Sequence, residues 1–132
     1  MIRNKKFRNA INNIPQKVPP IWFMRQAGRY HSHYQNLRKK HSFVQLCKTP
    51  ELAAEVAMGP INDFDYDVAI LFSDILFPLE SLGLELDYAP GPVFNRFLNE
   101  NDLSAPISSL EILESNKFQA EALDITRNPL PH

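Results

Sequence analysis

Two short apolar runs, each ending in polar residues, constrain the fold of this chain most. Residues 21–24 are followed by Arg25 and Gln26, and residues 68–72 by a polar pair that includes Asp74. Uninterrupted runs of this length are typical of strands that are buried on both faces of a parallel sheet. Helical patterns lie between them, so the sequence predicts a βαβ unit of an α/β fold. Parallel strands carry their polar ends at one edge, where Arg25, Gln26 and Asp74 are expected together.

The first run leads into a segment that we call the arginine loop, residues 25–29, in which two arginines bracket Gln26, Ala27 and Gly28. An arginine fork binds carboxylates or phosphates through two hydrogen bonds. Gly28 allows a sharp turn where the strand ends. The sequence therefore predicts an anion clamp, and the alternative is a pair of solvated arginines. For Asp74 the alternative is a capping role for a turn over residues 75–82.

Local signals predict the remaining elements. Thr49, Pro50 and Glu51 form a helix start, and Pro60 is expected to kink or end that helix. Other helices are expected over residues 3–14, 42–48 and 116–127, and a capping box begins at Ser108. Residues 84–88 alternate like a half-exposed strand, 89–92 are a predicted turn, and 95–107 are a predicted loop with one helical turn.

Charge is divided unevenly along the chain. Residues 1–50 hold eleven Lys or Arg and no acid, whereas residues 51–132 hold three Lys or Arg and all fifteen acids. Such segregation indicates either a polyanionic ligand or attraction between the two halves of the fold. No zinc-finger spacing and no repeat of basic and aromatic residues supports nucleic-acid binding.

Several other classes are disfavoured by the sequence. No apolar run approaches the length of a membrane span, and residues 1–8 lack the apolar core of a secretory signal. The single cysteine, Cys47, fits a reducing compartment and a buried position. His31 and His33 have the look of a metal pair without a third ligand, so surface histidines are expected. Residues 63–67 lack the glycine and glutamate of a calcium loop.

Two long motifs, residues 22–30 and 69–76, resemble uroporphyrinogen decarboxylases, as do the shorter stretches 47–56, 78–83 and 91–93. The resemblance covers roughly residues 15–127. It implies a TIM-type (β/α)8 barrel, a cytoplasmic homodimer, and no metal or organic cofactor. It further implies removal of CO2 from the four acetate side chains of uroporphyrinogen III, which gives coproporphyrinogen III.

The resemblance also implies roles for individual residues. The substrate-binding motif of the family matches Arg25, Gln26, Ala27, Gly28 and Arg29, and Arg38 falls where the family has another basic contact. Asp74 matches the aspartate that accepts hydrogen bonds from the pyrrole N–H groups. Asp74 and Arg25 are the expected catalytic residues. A substrate with eight carboxylates fits an acid-free, arginine-bearing segment.

The chain departs from the family in two ways. His31, Ser32 and His33 replace the usual Leu-Pro-Glu, and the sequence ends before the later glycine-rich strand and pocket residues; His132 is not assigned to the family's histidine. The expected fold is one partial domain, residues 1–132, the N-terminal portion of an incomplete barrel that is inactive alone. Two alternatives are a corrinoid-linked methyltransferase relative, which uses zinc and lacks the arginine loop, and a non-catalytic basic module formed by residues 1–50.

Overall fold

A computed structural model describes residues 4–104 and 108–129, with the side chain of Leu103 excepted. The fold mixes helices with one small sheet. The α-helices are α1 (Lys5–Ile11), α2 (Ser32–Arg38), α3 (Phe43–Lys48), α4 (Pro50–Phe64), α5 (Glu100–Ser104), α6 (Ser109–Ser115) and α7 (Lys117–Arg127). A 3₁₀ helix spans Phe77–Leu82, and strands β1 (Leu86–Tyr88) and β2 (Pro92–Phe94) follow it. His132 and residues 105–107 of the predicted loop lie outside the described residues.

Helix α4 is the element around which the others pack. It starts after Thr49 with Pro50 in its first turn, as predicted, and it continues through Pro60 to Phe64 instead of ending at the proline. Its small and apolar residues are buried, and α2, α3 and α7 pack against it. Tyr34 and Leu37 of α2, Leu46 of α3 and Val56 of α4 form the apolar core.

Caps define the shorter helices. Ser42 and Gln45 form a reciprocal capping box at the start of α3, and Ser108 and Glu111 do the same at α6. Asn4 accepts a hydrogen bond from the Phe7 amide at the start of α1. Each of these side chains satisfies main-chain donors that a helix start leaves unpaired. The predicted capping box at Ser108 and the predicted helix over residues 42–48 are confirmed, and the cap at Ser42 is additional.

Strands β1 and β2 form an antiparallel hairpin with Leu86 opposite Phe94 and Tyr88 opposite Pro92. The 3₁₀ helix before it ends at Gly83, whose φ of 74° is open to glycine without strain. The predicted strand over residues 84–88 is therefore confirmed for its last three residues. The sequence did not predict β2, because Pro92 removes a donor from a very short edge strand.

The predicted buried parallel strands are wrong for the described residues. Residues 21–24 and 68–72 are irregular, and Met24 is 79% exposed. Their starts meet in one main-chain bond, from the Asp67 amide to the Ile21 carbonyl (3.0 Å), and the first segment then turns. A strand needs a ladder along its length, and the hairpin is the only sheet in residues 4–104 and 108–129. An apolar run specifies a tendency to be buried but not the partner strands.

Asp67 connects α1 to the place where the starts of residues 21–24 and 68–72 contact each other. Its carboxylate accepts hydrogen bonds from the Ile21 amide (2.9 Å) and the Asn4 side chain (3.0 Å), and it pairs with Lys6 at 3.1 Å. Burial opposes the charge on Asp67, but these three partners together lower its pKa. Asp67 is therefore a main-chain acceptor that holds the N-terminal segment in place.

We expect Leu46→Ala to lower the free energy of unfolding by about 2–5 kcal/mol, because the residue is fully buried and the truncation leaves a cavity. Urea denaturation followed by circular dichroism measures this change. Leu110→Ala is the matched control, because Leu110 is 74% exposed on α6. Its expected effect is within about 0.5 kcal/mol. Equal effects of the two substitutions would contradict the core that we describe.

Candidate functional site

The arginine loop is built from two consecutive turns. The Gln26 amide donates to the Phe23 carbonyl (3.0 Å), and the His31 amide donates to the Gly28 carbonyl (3.0 Å). Arg25 lies in the first turn with a φ of 62°, a conformation that costs a non-glycine residue about 1 kcal/mol. A Cβ on Gly28 would lie 3.1 Å from the Arg25 carbonyl oxygen, so a glycine allows this tight path. The loop therefore projects Arg25 outward from a constrained backbone.

The Gln26 side chain holds the loop against the second apolar segment. Its Nε2 donates to the Val68 carbonyl (2.8 Å), and its Oε1 accepts from the Phe23 amide (3.1 Å). The Gln26 carbonyl accepts from the Tyr30 hydroxyl at 2.6 Å. The residue is only 3% exposed. The side-chain amide of Gln26 thus connects the loop to the segment that leads to Asp74.

Arg29 and Arg38 approach a common buried phenol, that of Tyr34. Burial raises the pKa of Tyr34, and the positive charges of Arg38 and Arg29 oppose that rise. The Arg29 carbonyl accepts from Gln35 Nε2 (2.6 Å), and Arg38 Nη1 donates to the His41 carbonyl (2.6 Å). Both arginines therefore adjoin α2: Arg29 precedes it and is bonded to it through its main chain, and Arg38 is its last residue.

Asp74 lies between the second apolar run, residues 68–72, and the 3₁₀ helix. Its Oδ1 accepts from the Leu76 amide (2.9 Å), which is the local capping role that the sequence offered as an alternative. The second oxygen of the carboxylate does not take part in that bond. Asp74 is partly exposed and is flanked along the chain by the aromatic residues Phe72 and Phe77. The capping bond fixes the side chain and leaves acceptor capacity for a ligand.

The Cys47 thiol is affected by the charges of both Asp74 and Arg38. Burial, to which the negative charge of Asp74 adds, raises the pKa of the Cys47 thiol from 9.0 to about 12, while Arg38 and Lys48 oppose the shift. Arg38 and Asp74 thus act on one thiol, and Arg38 and Arg29 act on one phenol. Arg38 is therefore within electrostatic range of both Tyr34 and Cys47, whereas of these two groups Arg29 acts on Tyr34 alone and Asp74 on Cys47 alone.

Arg25 and Ala27 differ from these three residues. The Arg25 side chain is exposed, and within residues 4–104 and 108–129 it makes no hydrogen bond or ion pair. Ala27 packs against the apolar core. The predicted site residues therefore form three groups. Arg29, Arg38 and Asp74 act on Tyr34 and Cys47, and Arg25 is exposed. Residues 26–28 hold the loop in place.

The prediction of surface histidines is wrong for His31, which is 4% exposed. Its Nε2 lies 2.6 Å from an Asp63 carboxylate oxygen, and its ring centroid lies 5.9 Å from that of His33. His31 is the residue before α2, so the ring is not directed by helical spacing. Both rings pack on Gly59, where an added Cβ would lie 2.6 Å from His33. A glycine in the middle of a helix was the available sequence signal.

The described residues contain no group of three or more His, Cys, Asp or Glu side chains arranged to hold a metal ion. Among those same residues, no helix is long and apolar enough to cross a membrane. The sequence did not assign Tyr34 or Tyr88 to the site. Both adjoin it because they lie on elements, α2 and β1, that tertiary packing places beside Asp74 and the arginines.

Comparisons with known proteins agree on one family. A family model for uroporphyrinogen decarboxylase matches residues 2–132. The uroporphyrinogen decarboxylase of Citrifermentans bemidjiense is 43% identical over 122 residues, which are 92% of this chain and 33% of that protein. The uroporphyrinogen decarboxylase of Geobacter sulfurreducens is 55% identical over 91 residues, 69% of this chain and 27% of that protein. The chain spans about a third or less of the length of these curated relatives.

We expect Gln26→Ala to lower the free energy of unfolding by about 2–4 kcal/mol, because it removes a buried side chain and two hydrogen bonds and leaves their main-chain partners unpaired. Gln35→Ala is the control, since Gln35 is exposed and makes one such bond, with an expected cost below about 1.5 kcal/mol. Urea denaturation measures both. Comparable losses would show that Gln26 does not hold the loop.

A second prediction concerns pH. The unfolded chain releases the Cys47 proton near pH 9, whereas the folded chain keeps it until about pH 12. The native state binds more protons between these values, so the stability contributed by the thiol is complete below pH 9 and is lost as pH rises toward 12. We expect the unfolding free energy of Cys47→Ala to fall less steeply with pH above 9 than that of the unmodified chain, measured by urea denaturation. Parallel pH profiles would refute this expectation.

Proposed function

The chain belongs to the uroporphyrinogen decarboxylase family, and from that premise we propose that it supplies the arginine and aspartate part of a decarboxylase active site. The substrate is uroporphyrinogen III, the reaction removes CO2 from its four acetate side chains, and the product is coproporphyrinogen III. No metal or organic cofactor takes part in this proposal. The observation that carries it is that the charges of Arg29, Arg38 and Asp74 act on the buried Tyr34 and Cys47.

The charges of these residues fit the substrate. A uroporphyrinogen bears eight carboxylates at its rim, which the guanidinium groups of Arg25, Arg29 and Arg38 bind as bidentate partners. Its pyrrole N–H groups point inward and need an acceptor, and Asp74 has a carboxylate oxygen outside the Leu76 bond. Ala27 and Gly28 are small enough to admit the substrate beside the loop. Gln26 belongs to the binding motif and serves it by fixing the loop.

The proposed chemistry proceeds by proton transfer and loss of CO2. A proton adds to a pyrrole carbon, the carbon–carbon bond to the carboxylate breaks, and the bonding electrons flow into the cationic ring. The exocyclic methylene left on the ring then takes up a proton to become the methyl group, and the ring carbon releases the proton that it gained first. Asp74 stabilises the cationic intermediate electrostatically, an effect that removal of one such group typically reveals as a hundredfold or larger loss of rate. Arg25 lies near the departing carboxylate and takes part in delivering protons.

The strained backbone of Arg25 supports this assignment. A left-handed conformation at an arginine costs stability, and its exposed side chain gains no contact in the described residues that would offset the cost. Strain of this kind is often associated with functional sites. The position is therefore suited to present a guanidinium group to a ligand.

The proposed fold is the N-terminal portion of a TIM-type (β/α)8 barrel, with residues 1–132 as one partial domain. Residues 21–24 and 68–72, which are irregular here, are proposed to take up strand conformation only when the neighbouring strands of a barrel are present to pair with them. The exposure of Trp22, Phe23, Met24, Ile70 and Ile75 supports this assignment, because soluble domains seldom leave adjacent large apolar residues uncovered. The whole protein is proposed to be a cytoplasmic homodimer that binds neither nucleic acid nor membrane.

The test joins residues 1–132 to the remaining two thirds of the Geobacter sulfurreducens enzyme and measures coproporphyrinogen formation. We expect turnover by the chimaera and none by the 132-residue chain alone. Asp74→Asn should lower kcat/KM at least about 100-fold. Asp65→Asn, at an exposed helix cap where asparagine tolerates a φ of 53°, should not change it. A chimaera that folds but does not turn over uroporphyrinogen would refute the proposal.

Arg25→Gly separates binding from folding in the same chimaera. Glycine adopts the φ of 62° freely, so thermal stability should be unchanged while KM rises at least about tenfold. Unchanged KM would remove Arg25 from the site. The two alternatives have their own readouts: stoichiometric zinc would favour the methyltransferase relative, and salt-sensitive nucleic-acid binding would favour the basic module.

A further inference from the structure

Tyr88 carries a buried hydroxyl that finds no hydrogen-bond partner among the described residues. An unpaired buried hydroxyl costs about 1–3 kcal/mol, so such a group in a native fold needs an explanation. Tyr88 lies on β1, where alternation along the strand places it on the face opposite Asp87. Its ring therefore points into the molecule while Asp87 remains exposed.

Aromatic packing places Tyr88 beside the segment that contains Asp74. The Tyr88 ring meets Phe43 edge-on at 4.7 Å and Phe77 at 6.4 Å. Phe43 in turn contacts Phe72 at 5.9 Å. Phe72 and Phe77 lie on either side of Asp74 in the sequence, so the chain between them passes the cluster that fixes Tyr88. The ring has little freedom to turn toward another partner.

The Asp74 carboxylate has an oxygen that could accept the hydrogen bond of the Tyr88 hydroxyl. One oxygen accepts from the Leu76 amide, and the other is left without that bond. Burial raises the pKa of Tyr88, and the negative charge of Asp74 and hydrogen bonding to its carboxylate raise it further, as expected for a phenol and a carboxylate that lie close together. Cys47 and Glu80 contribute in the same direction, and Arg38 and Lys48 are the cations that act on Cys47.

We propose that Tyr88 is a positioning residue whose hydroxyl donates a hydrogen bond to the carboxylate oxygen of Asp74 that the Leu76 amide leaves open. With both oxygens held, the carboxylate is oriented for its ligand and is not free to rotate. The catalytic consequence rests on the proposed function, whereas the hydrogen bond does not.

Fluorine NMR on the 132-residue chain tests the bond without any activity. The chain has four tyrosines, all replaced by 3-fluorotyrosine, which ionises at lower pH than tyrosine. Tyr88→Phe identifies the Tyr88 signal by its loss and keeps the ring contacts. We expect this signal to titrate at the highest pH of the four, and Asp74→Asn to lower its midpoint by about one pH unit or more. Asn keeps one oxygen for Leu76 but presents an NH₂ group where the free oxygen was.

Asp87→Asn is the matched control. It removes a carboxylate adjacent in sequence but on the other face of β1, and its oxygen still accepts from the Tyr88 amide (2.7 Å in the parent). The Tyr88 midpoint should therefore not move. Equal shifts in Asp74→Asn and Asp87→Asn, or no shift in either, would overturn the proposal.

Should Asp74→Asn fail to fold, the unmodified chain decides the question. With ¹³C at the tyrosine ζ carbon and equal volumes of H₂O and D₂O, a slowly exchanging hydroxyl gives two lines. We expect two lines for Tyr88. A single line for Tyr88 would contradict a held hydroxyl.

The chimaera supplies the functional arm. Tyr88→Phe should lower kcat about tenfold with KM unchanged, as expected for loss of a hydrogen bond to a charged group that acts in the transition state. A change in KM alone, or no change, would overturn the positioning role. Failure of the parent chimaera to turn over would count against the proposed function only, and the spectroscopic result would still decide whether Tyr88 and Asp74 are bonded.

Discussion

Main-chain groups in residues 21–26 and 67–68 lack the ladder of a sheet, and two side chains replace it. Asp67 accepts from the Ile21 amide, while the Gln26 amide spans from the Phe23 main chain to the Val68 carbonyl. Main-chain donors and acceptors that lack a sheet partner need another one, and here a carboxylate and a side-chain amide supply it. The position of the arginine loop relative to the segment that carries Asp74 depends on these bonds.

Helix α4 provides the surface on which both segments are assembled. Its small residues let α2 and α3 approach closely, and Gly59 admits the rings of His31 and His33. The buried contact between His31 and Asp63 fixes the chain at the exit of the arginine loop, immediately before α2. His31 and His33 are therefore accommodated by a polar contact and ring packing.

The site combines an exposed arginine with charged residues that act on buried groups. Arg25 is exposed and free of protein partners in the described residues, whereas Arg29, Arg38 and Asp74 surround groups that burial keeps protonated. Keeping the thiol and the phenols neutral leaves the carboxylate and guanidinium groups as the charges of the site. That arrangement suits a ligand with many carboxylates around a ring of N–H donors.

The sequence alone determined the features that depend on neighbours in the chain. The helix starts at Ser42, Thr49 and Ser108, the end of the 3₁₀ helix at Gly83 and the membership of the family could all be read from it, because caps, turns and motifs involve residues a few positions apart. Tertiary structure alone decided that two apolar runs are irregular here, that Gln26 and His31 are buried, and that Tyr88 adjoins Asp74. Strand pairing and burial join residues far apart in sequence, and an apolar or polar run does not specify which distant groups will complete it.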